Sequence, residues 1–456
     1  MVSSPRIPDA LNIRDYQKDA IRAWLRAKGR GILEMATGTG KTITSICAIV
    51  TLLQQLYAAN CACGIVIVLP YKVLLEQWQD NLAEFGIYPL PCYESKAVWL
   101  PKLQSQTDLF ARGSYKNLSI ITTNATFYGD DFHAELAKLG GQYIFCVDEM
   151  HHLATERGVS LLPADAMFKI GLSATLMTKY ENKSMADLID YFENGIVYNF
   201  TLERAIEEGF LTPYNYYPIF VELTDDEKEE YFILSKKIAK AYLMNDNDDS
   251  EEILQALLMK RARIVGSAEN KLEALRTMGG IIQGTKYNLF YCGDRREAEV
   301  RYIEKVNRVL SFDLDMRTHT FTSEENRIER RDILNRFSNG DIEALTAIRC
   351  LDEGVDIPAL RRAFILSSGT NPKEFIQRRG RILRRSPGKE MAEIYDFFVV
   401  PTMSSREINR MDSEQLNSER RIINREFDRF KEFADLAANK QDAYGKIIDI
   451  WELYNR

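Results

Sequence analysis

Glu34-Met35-Ala36-Thr37-Gly38-Thr39-Gly40-Lys41-Thr42 follows a short apolar strand pattern and opens a helical one. A glycine-rich turn between strand and helix is where backbone N–H groups gather around a phosphate at a helix N-terminus. Gly38 and Gly40 leave the backbone free to turn those groups inward on β- and γ-phosphates, within a loop running from Thr37 through Thr39. Lys41 adds a point positive charge, and the Thr42 hydroxyl is a ligand type for Mg²⁺. The strict form of the pattern begins with glycine, where this chain has Met35. A glycine-rich turn without a ligand stays open as a reading until the rest of the chain is considered. One helix upstream stands Arg14-Asp15-Tyr16-Gln17. The Gln17 amide has the donor and acceptor that an adenine edge requires.

The chain around this loop has 456 residues, which suggests about three folding units. Its composition, 45% hydrophobic and 27% charged, is that of a globular protein rather than a disordered one. Apolar stretches such as 65–69 fall far short of the ~20 residues that cross a bilayer. The opening MVSSPRIPDA lacks a secretory pattern. Seven scattered cysteines form no disulfide framework, so a cytoplasmic protein with reduced thiols is expected. Lys plus Arg is 59 against 66 for Asp plus Glu, a net charge of −7. That excludes a histone-like polyanion coat but leaves room for a local nucleic-acid groove.

Two stretches alternate strand and helix patterns, which predicts mostly parallel sheets covered by helices. The first has strand candidates at 31–35, 64–69, 118–122, 143–147 and 168–172, with helices at 41–56 and 72–85. The second has strand candidates at 287–292, 315–320, 344–348, 363–366 and 392–398, with helices at 295–310 and 324–337. Between them the chain reads as helical and highly charged, with the acidic patch 245–252 as a solvated loop. The expected organisation is an α/β fold with a first lobe at 1–212, a helical insert at 213–284, a second lobe at 285–400 and a helical C-terminal extension at 401–456.

The apolar run 143–147 ends in Asp148-Glu149-Met150-His151-His152. Two carboxylates at the end of a buried strand are costly without a positive partner, and Mg²⁺ beside a triphosphate is one. Asp148 then holds the metal and Glu149 orients or deprotonates the attacking water. A strand-terminal acidic turn is the rival reading. Structural zinc is not expected, since Cys61-Ala62-Cys63 has the wrong spacing and no cysteine pair accompanies His151 and His152. His151 is expected to hydrogen-bond toward the partner lobe. Gly171-Leu172-Ser173-Ala174-Thr175 follows another apolar run and offers hydroxyls near the acidic site. In Gln377-Arg378-Arg379-Gly380-Arg381-Ile382-Leu383-Arg384, Arg381 and Arg384 project from one side of a helical turn. They suit a γ-phosphate in its transition state, or nucleic-acid phosphates, or solvent. Before them, Gly354 permits an unusual backbone angle and Asp356 suits a ribose hydroxyl or an arginine.

In their order these motifs resemble superfamily 2 helicases and translocases: Tyr16-Gln17, ATGTGKT at 36–42, VDEMH at 147–151, GLSAT at 171–175, DEGVDIP at 352–358 and QRRGRILR at 377–384. The match spans about residues 10 to 400. Within that superfamily, Arg330-Arg331-Asp332-Ile333-Leu334, Phe337 and Gly340, leading into Glu353-Gly354-Val355-Asp356, look most like the DNA-translocating branch of repair helicases and restriction-system motors. The resemblance implies two tandem RecA-like parallel-sheet lobes. It assigns Gln17 to adenine, Lys41 to phosphate, Thr42 and Asp148 to Mg²⁺, Glu149 to base catalysis, and Arg381 and Arg384 as fingers from the second lobe. It gives Ser173 and Thr175 a coupling role, with His151 and Gln377 near the interface. It also implies strand contacts near Pro70, Thr122 and Thr123, and around Thr322. Met35 and Met150 stand where the family has smaller residues.

The function expected is an ATP-dependent, DNA-directed motor with ATP and Mg²⁺, closing and opening two lobes as it steps along phosphates. RNA stays open as the polymer. The alternative is a nucleic-acid-gated ATPase switch or remodeller working with a separate nuclease or other subunit, docked on the insert or the C-terminal extension. Built-in cleavage is not expected, because neither an Asp…Glu-x-Lys cluster nor a His-Asn-His arrangement occurs in a free segment. No membrane association is expected.

Overall fold

A computed structural model describes residues 5–174, 183–243, 248–293, 296–297, 300–322, 325–348, 357, 359–367 and 379–455. The chain divides between Glu208 and Gly209 into two compact units. The first holds β1 (Arg30–Met35), β2 (Gly64–Leu69), β3 (Leu90–Cys92), β4 (Ser119–Thr123), β5 (Tyr143–Val147), β6 (Phe168–Ser173) and β7 (Ile196–Phe200). They form one sheet in the order β3-β4-β2-β5-β6-β1-β7, and every pairing is parallel. Its central strands are apolar at nearly every position because helices cover both faces. Among them are α1 (Asp15–Arg26), α2 (Lys41–Ala58) and α3 (Lys72–Glu84).

In the second unit β8 (Tyr214–Val221), β9 (Asn288–Tyr291), β12 (Thr318–Phe321), β13 (Ala344–Ala347), β14 (Arg362–Ile365) and β15 (Ala392–Val399) form a parallel sheet ordered β12-β13-β9-β14-β15-β8. Two short strands, β10 (Arg296–Glu297) and β11 (Val300–Arg301), pair with each other.

Two expectations change. The helix expected at 295–310 starts later, at Tyr302, because the preceding backbone bonds within the β10–β11 pair, and past Arg308 it widens into a π-helical turn over Val309–Asp313. The stretch 213–284 is not wholly helical, since it begins with strand β8. Pro218 argues against a strand in sequence, yet a proline is tolerated at a sheet edge, and β8 is an edge strand. Pro91 hides β3 at the opposite sheet's edge in the same way.

The open edge of β8 is covered by the C-terminal helices Ser413–Ala434 and Lys440–Asn455. Between them the Asn439 side chain accepts from the Tyr216 N–H at 2.8 Å and donates to its carbonyl at 3.0 Å. Ala438 N–H donates to the Tyr214 carbonyl at 2.8 Å. An edge strand is thereby closed without a further strand. Beneath it, the buried Arg429 guanidinium meets Asp396 at 3.0 Å and Glu426 at 2.8 Å. Tyr216 donates its hydroxyl to the same aspartate. Arg429→Met leaves two buried carboxylates without their counter-ion, and is expected to lower unfolding stability by about 3–5 kcal/mol. The midpoint of the second unit's transition in urea measures it.

Candidate phosphate and acid-base site

In a parallel sheet all carboxyl ends lie on one edge, the usual place for a ligand. Past those ends in the first unit stand the loop 36–40 after β1, Pro70 after β2, Thr122 and Thr123 closing β4, Asp148 after β5 and Ser173 closing β6. The order β5-β6-β1 brings Asp148 beside the loop, and Ser173 pairs in register with Glu34.

Within the loop, Gly38 and Gly40 have φ of 88° and 80°, left-handed angles that favour glycine. A Cβ on Gly40 would also lie 2.9 Å from Gln17 Nε2. Lys41 begins α2 and is buried; its Nζ lies 2.8 Å from Glu149 Oε1 and 3.4 Å from Asp148 Oδ1. Burial pulls the ammonium toward neutrality, but the charges of Glu149 and Asp148 outweigh it and raise Lys41 above its ordinary value. Burial likewise opposes charge on Glu149, yet Lys41 and His151 hold that carboxyl down at about 2. On Asp148 burial wins despite Lys41, and the carboxyl stands above the usual carboxylate range.

Glu149 is the strained residue of the site. Its φ of 45° and ψ of 50° put a side-chain-bearing residue in the left-handed region, at a cost of about 1–2 kcal/mol. That turn at the end of β5 directs its carboxylate to Lys41. Trp78 of α3 donates its indole N–H to Asp148 Oδ2 at 2.9 Å, and the Glu149 N–H donates to Asp148 Oδ1 at 2.9 Å. Both carboxylate oxygens of Asp148 are thus held. In sequence Trp78 reads as an ordinary core residue; its signal is an indole N–H, which needs an acceptor once buried.

Tyr16 and Gln17 both face the loop. Tyr16 stacks on Phe200 with ring centroids 4.2 Å apart and donates its hydroxyl to the Thr39 carbonyl at 2.6 Å. Gln17 accepts from the Arg14 N–H at 3.0 Å and donates to Thr44 Oγ1 at 3.1 Å. One amide proton and one acceptor lone pair remain beyond these bonds. His151 Nδ1 lies 3.6 Å from Glu149 Oε2, and the His151 and His152 rings are 4.4 Å apart.

The residues present fit a phosphate and a hard cation. Glu149 Oε2 and Thr37 Oγ1 are buried and have no hydrogen-bond partner among the described residues. Thr42, Asp148 and Glu149 supply the oxygen donors that Mg²⁺ prefers. Met35 is fully buried at the end of β1, and Met150 packs its sulfur against Gly171, where a Cβ would lie 2.7 Å away. The glycine in GLSAT makes room for the larger residue in the acidic box.

The expected strand contacts need correction. Thr122 is fully buried and its hydroxyl donates to the Cys92 carbonyl at 2.7 Å, so it offers nothing to a polymer. Thr123 and Pro70 are half-buried at the same edge. Thr322, in the second unit, directs its N–H to Glu325 at 2.8 Å and its hydroxyl to the same carboxylate at 3.2 Å. Also in that unit, 379–382 is helical, with Arg381 and Arg384 half-buried. Thr175, Gly354, Asp356 and Gln377 lie outside the described residues.

The chain is similar to known proteins over most of its length. Residues 10–178 match the family described as the type III restriction enzyme res subunit, and 271–386 match the helicase conserved C-terminal domain. A DNA 3'-5' translocase XPB2 from Sulfurisphaera tokodaii is 26% identical over 408 residues, covering 84% of this chain and 80% of that protein. The structure of the ATP-dependent Type ISP restriction-modification enzyme LlaBIII bound to DNA aligns with a TM-score of 0.59 at 17% identity. That alignment covers 96% of this chain and 31% of the enzyme. The Pyrococcus furiosus Hef helicase domain aligns with a TM-score of 0.51 at 16% identity, over 87% of this chain and 97% of that one.

Trp78→Phe keeps the aromatic packing and removes the donor to Asp148. It is expected to leave the fold intact and to lower nucleoside triphosphate hydrolysis roughly 10-fold, as outer hydrogen-bond partners of such sites do. Turnover at saturating nucleotide, with circular dichroism as the control, measures it.

Proposed function

Since the chain belongs to the superfamily 2 helicases and translocases, in the branch of restriction-system motors and repair helicases, and is an ATP-hydrolysing enzyme of that type, we propose that it steps along DNA at the expense of ATP. The observation that carries the reading is the Lys41 ammonium held between Asp148 and Glu149 at the carboxyl edge of a parallel sheet. A triphosphate entering the loop offers Lys41 stronger negative charge than either carboxylate, so the lysine exchanges partners. Glu149, released from it, is then placed to act as the base for the attacking water. Thr42, Asp148 and Glu149 would hold Mg²⁺, which neutralises phosphate charge when bound. Gln17 is assigned to adenine by its remaining amide donor and acceptor, and Tyr16 holds the loop against it.

Arg381 and Arg384 are assigned to the charge that develops on the γ-phosphate. His151 and Ser173 are assigned to coupling hydrolysis with motion, by their places beside Glu149 and at the end of β6. Thr123 and Pro70 are the first-unit candidates for backbone phosphates, a contact that carries no base sequence. The DNA assignment rests on the DNA translocase relative and on the match to the res-subunit family, and a separate nuclease or other subunit is the partner class assigned to it.

Hydrolysis measured without polymer and with single-stranded DNA, duplex DNA and RNA tests the reading. DNA is expected to accelerate turnover, and duplex DNA to support displacement of a third strand. Acceleration by DNA without any displacement would make the protein a gated switch, and acceleration by RNA alone would overturn the DNA assignment. Lys41→Ala is expected to abolish turnover in a folded protein. Arg381→Ala should spare ATP binding and slow hydrolysis by about 10³-fold or more.

A further inference from the structure

Four arginines stand in the basic segment 378–384, and one of them, Arg379, turns into the protein interior. Arg379 is buried, with 3% of its surface exposed. Its Nη2 lies 2.6 Å from Glu432 Oε1, and its Nη1 donates to the Glu432 carbonyl and reaches the Tyr214 hydroxyl at 3.5 Å. Glu432 belongs to the last turn of the helix Ser413–Ala434.

A helix ends with four carbonyls that have no partner within it. Here each has one. Asp435 N–H takes Lys431 O at 3.0 Å, Arg379 takes Glu432 O, Tyr214 Oη takes Phe433 O at 2.6 Å and Ala437 N–H takes Ala434 O at 3.1 Å. The guanidinium therefore sits at the negative end of a helix dipole as well as on a carboxylate. That helix is itself fixed to the sheet through Arg429, Asp396 and Glu426. At the far end of the segment, buried Lys389 donates to the Ile382 carbonyl at 2.5 Å and the Arg384 carbonyl at 2.8 Å.

We infer that Arg379 and Glu432 are positioning residues for Arg381 and Arg384, with the C-terminal helix as the strut that sets where those arginines stand. The inference rests on the reading that Arg381 acts in hydrolysis. It gives the C-terminal helices a part in turnover although they contribute no residue to the chemistry.

Full-length Arg379→Met, Arg379→Lys, Glu432→Gln, Arg381→Ala and the double Arg379→Met/Arg381→Ala are compared by kcat, KM for ATP and affinity for a fluorescent ATP analogue. Because a misplacement of about 1 Å costs ~10²-fold, Arg379→Met is expected to lower kcat roughly 10–100-fold with KM and nucleotide affinity within about twofold of the parent. Arg379→Lys is expected to recover part of that loss, and Glu432→Gln to show a smaller one. The double variant is expected to lose less than the product of the two single losses, because the strut acts only through Arg381 and Arg384. Parent kcat in Arg379→Met, or losses that multiply in the double variant, would overturn the inference. Should Arg379→Met fail to fold, Glu432→Gln decides, since it keeps the backbone acceptor; parent kcat there overturns the inference as well. Parent kcat in Arg381→Ala instead removes the reading on which the inference stands, whatever Arg379 does.

Discussion

One ammonium between two carboxylates, all three largely taken out of water, governs the first unit. Separately each charge would be costly to bury; together Lys41, Asp148 and Glu149 offset much of that cost, provided their geometry holds. The geometry is supplied from several places. β1 delivers the loop and β5 the acids, with only β6 between them. Trp78 and a backbone N–H fix Asp148, and a left-handed turn aims Glu149. Tyr16 holds the loop from outside through the Thr39 carbonyl. The same charges that stabilise one another are the ones a triphosphate would recruit, so the cluster serves the fold and the proposed chemistry with the same atoms.

The second unit solves a different problem, a parallel sheet with an exposed edge. Its answer is to lay the C-terminal helices along β8, where Asn439 supplies both a donor and an acceptor to Tyr216. Those helices are tied down by the Arg429 cluster and, at their junction, by Arg379 from the basic segment. A stretch that carries no motif in sequence thus completes the sheet and braces the residues next to it.

Legibility followed the kind of constraint involved. Central strands such as β2 and β5 coincide with the apolar runs at 64–69 and 143–147, because burial on both faces demands that composition. Edge strands β3, β7 and β8 escaped notice, since an edge tolerates Pro91, Pro218 and half-exposed side chains. The helix expected at 295–310 starts only at Tyr302 because its first part folds back on itself as the β10–β11 pair. Among site residues, Lys41, Asp148 and Glu149 were readable from their motifs and do meet. Thr122 was readable as a motif position but is turned inward on the Cys92 carbonyl, and Trp78 carried no motif at all.

By itself the sequence determined the family, the two α/β stretches and the residues of the nucleotide loop and acidic box, because phosphate chemistry restricts residue types over a few consecutive positions. Only the tertiary structure decided which side chains support them. Trp78 and Asp148 are 70 positions apart, and Arg379 and Glu432 are 53. Contacts of that range depend on which strands neighbour one another and on where buried donors find acceptors, and no local pattern of residues encodes either.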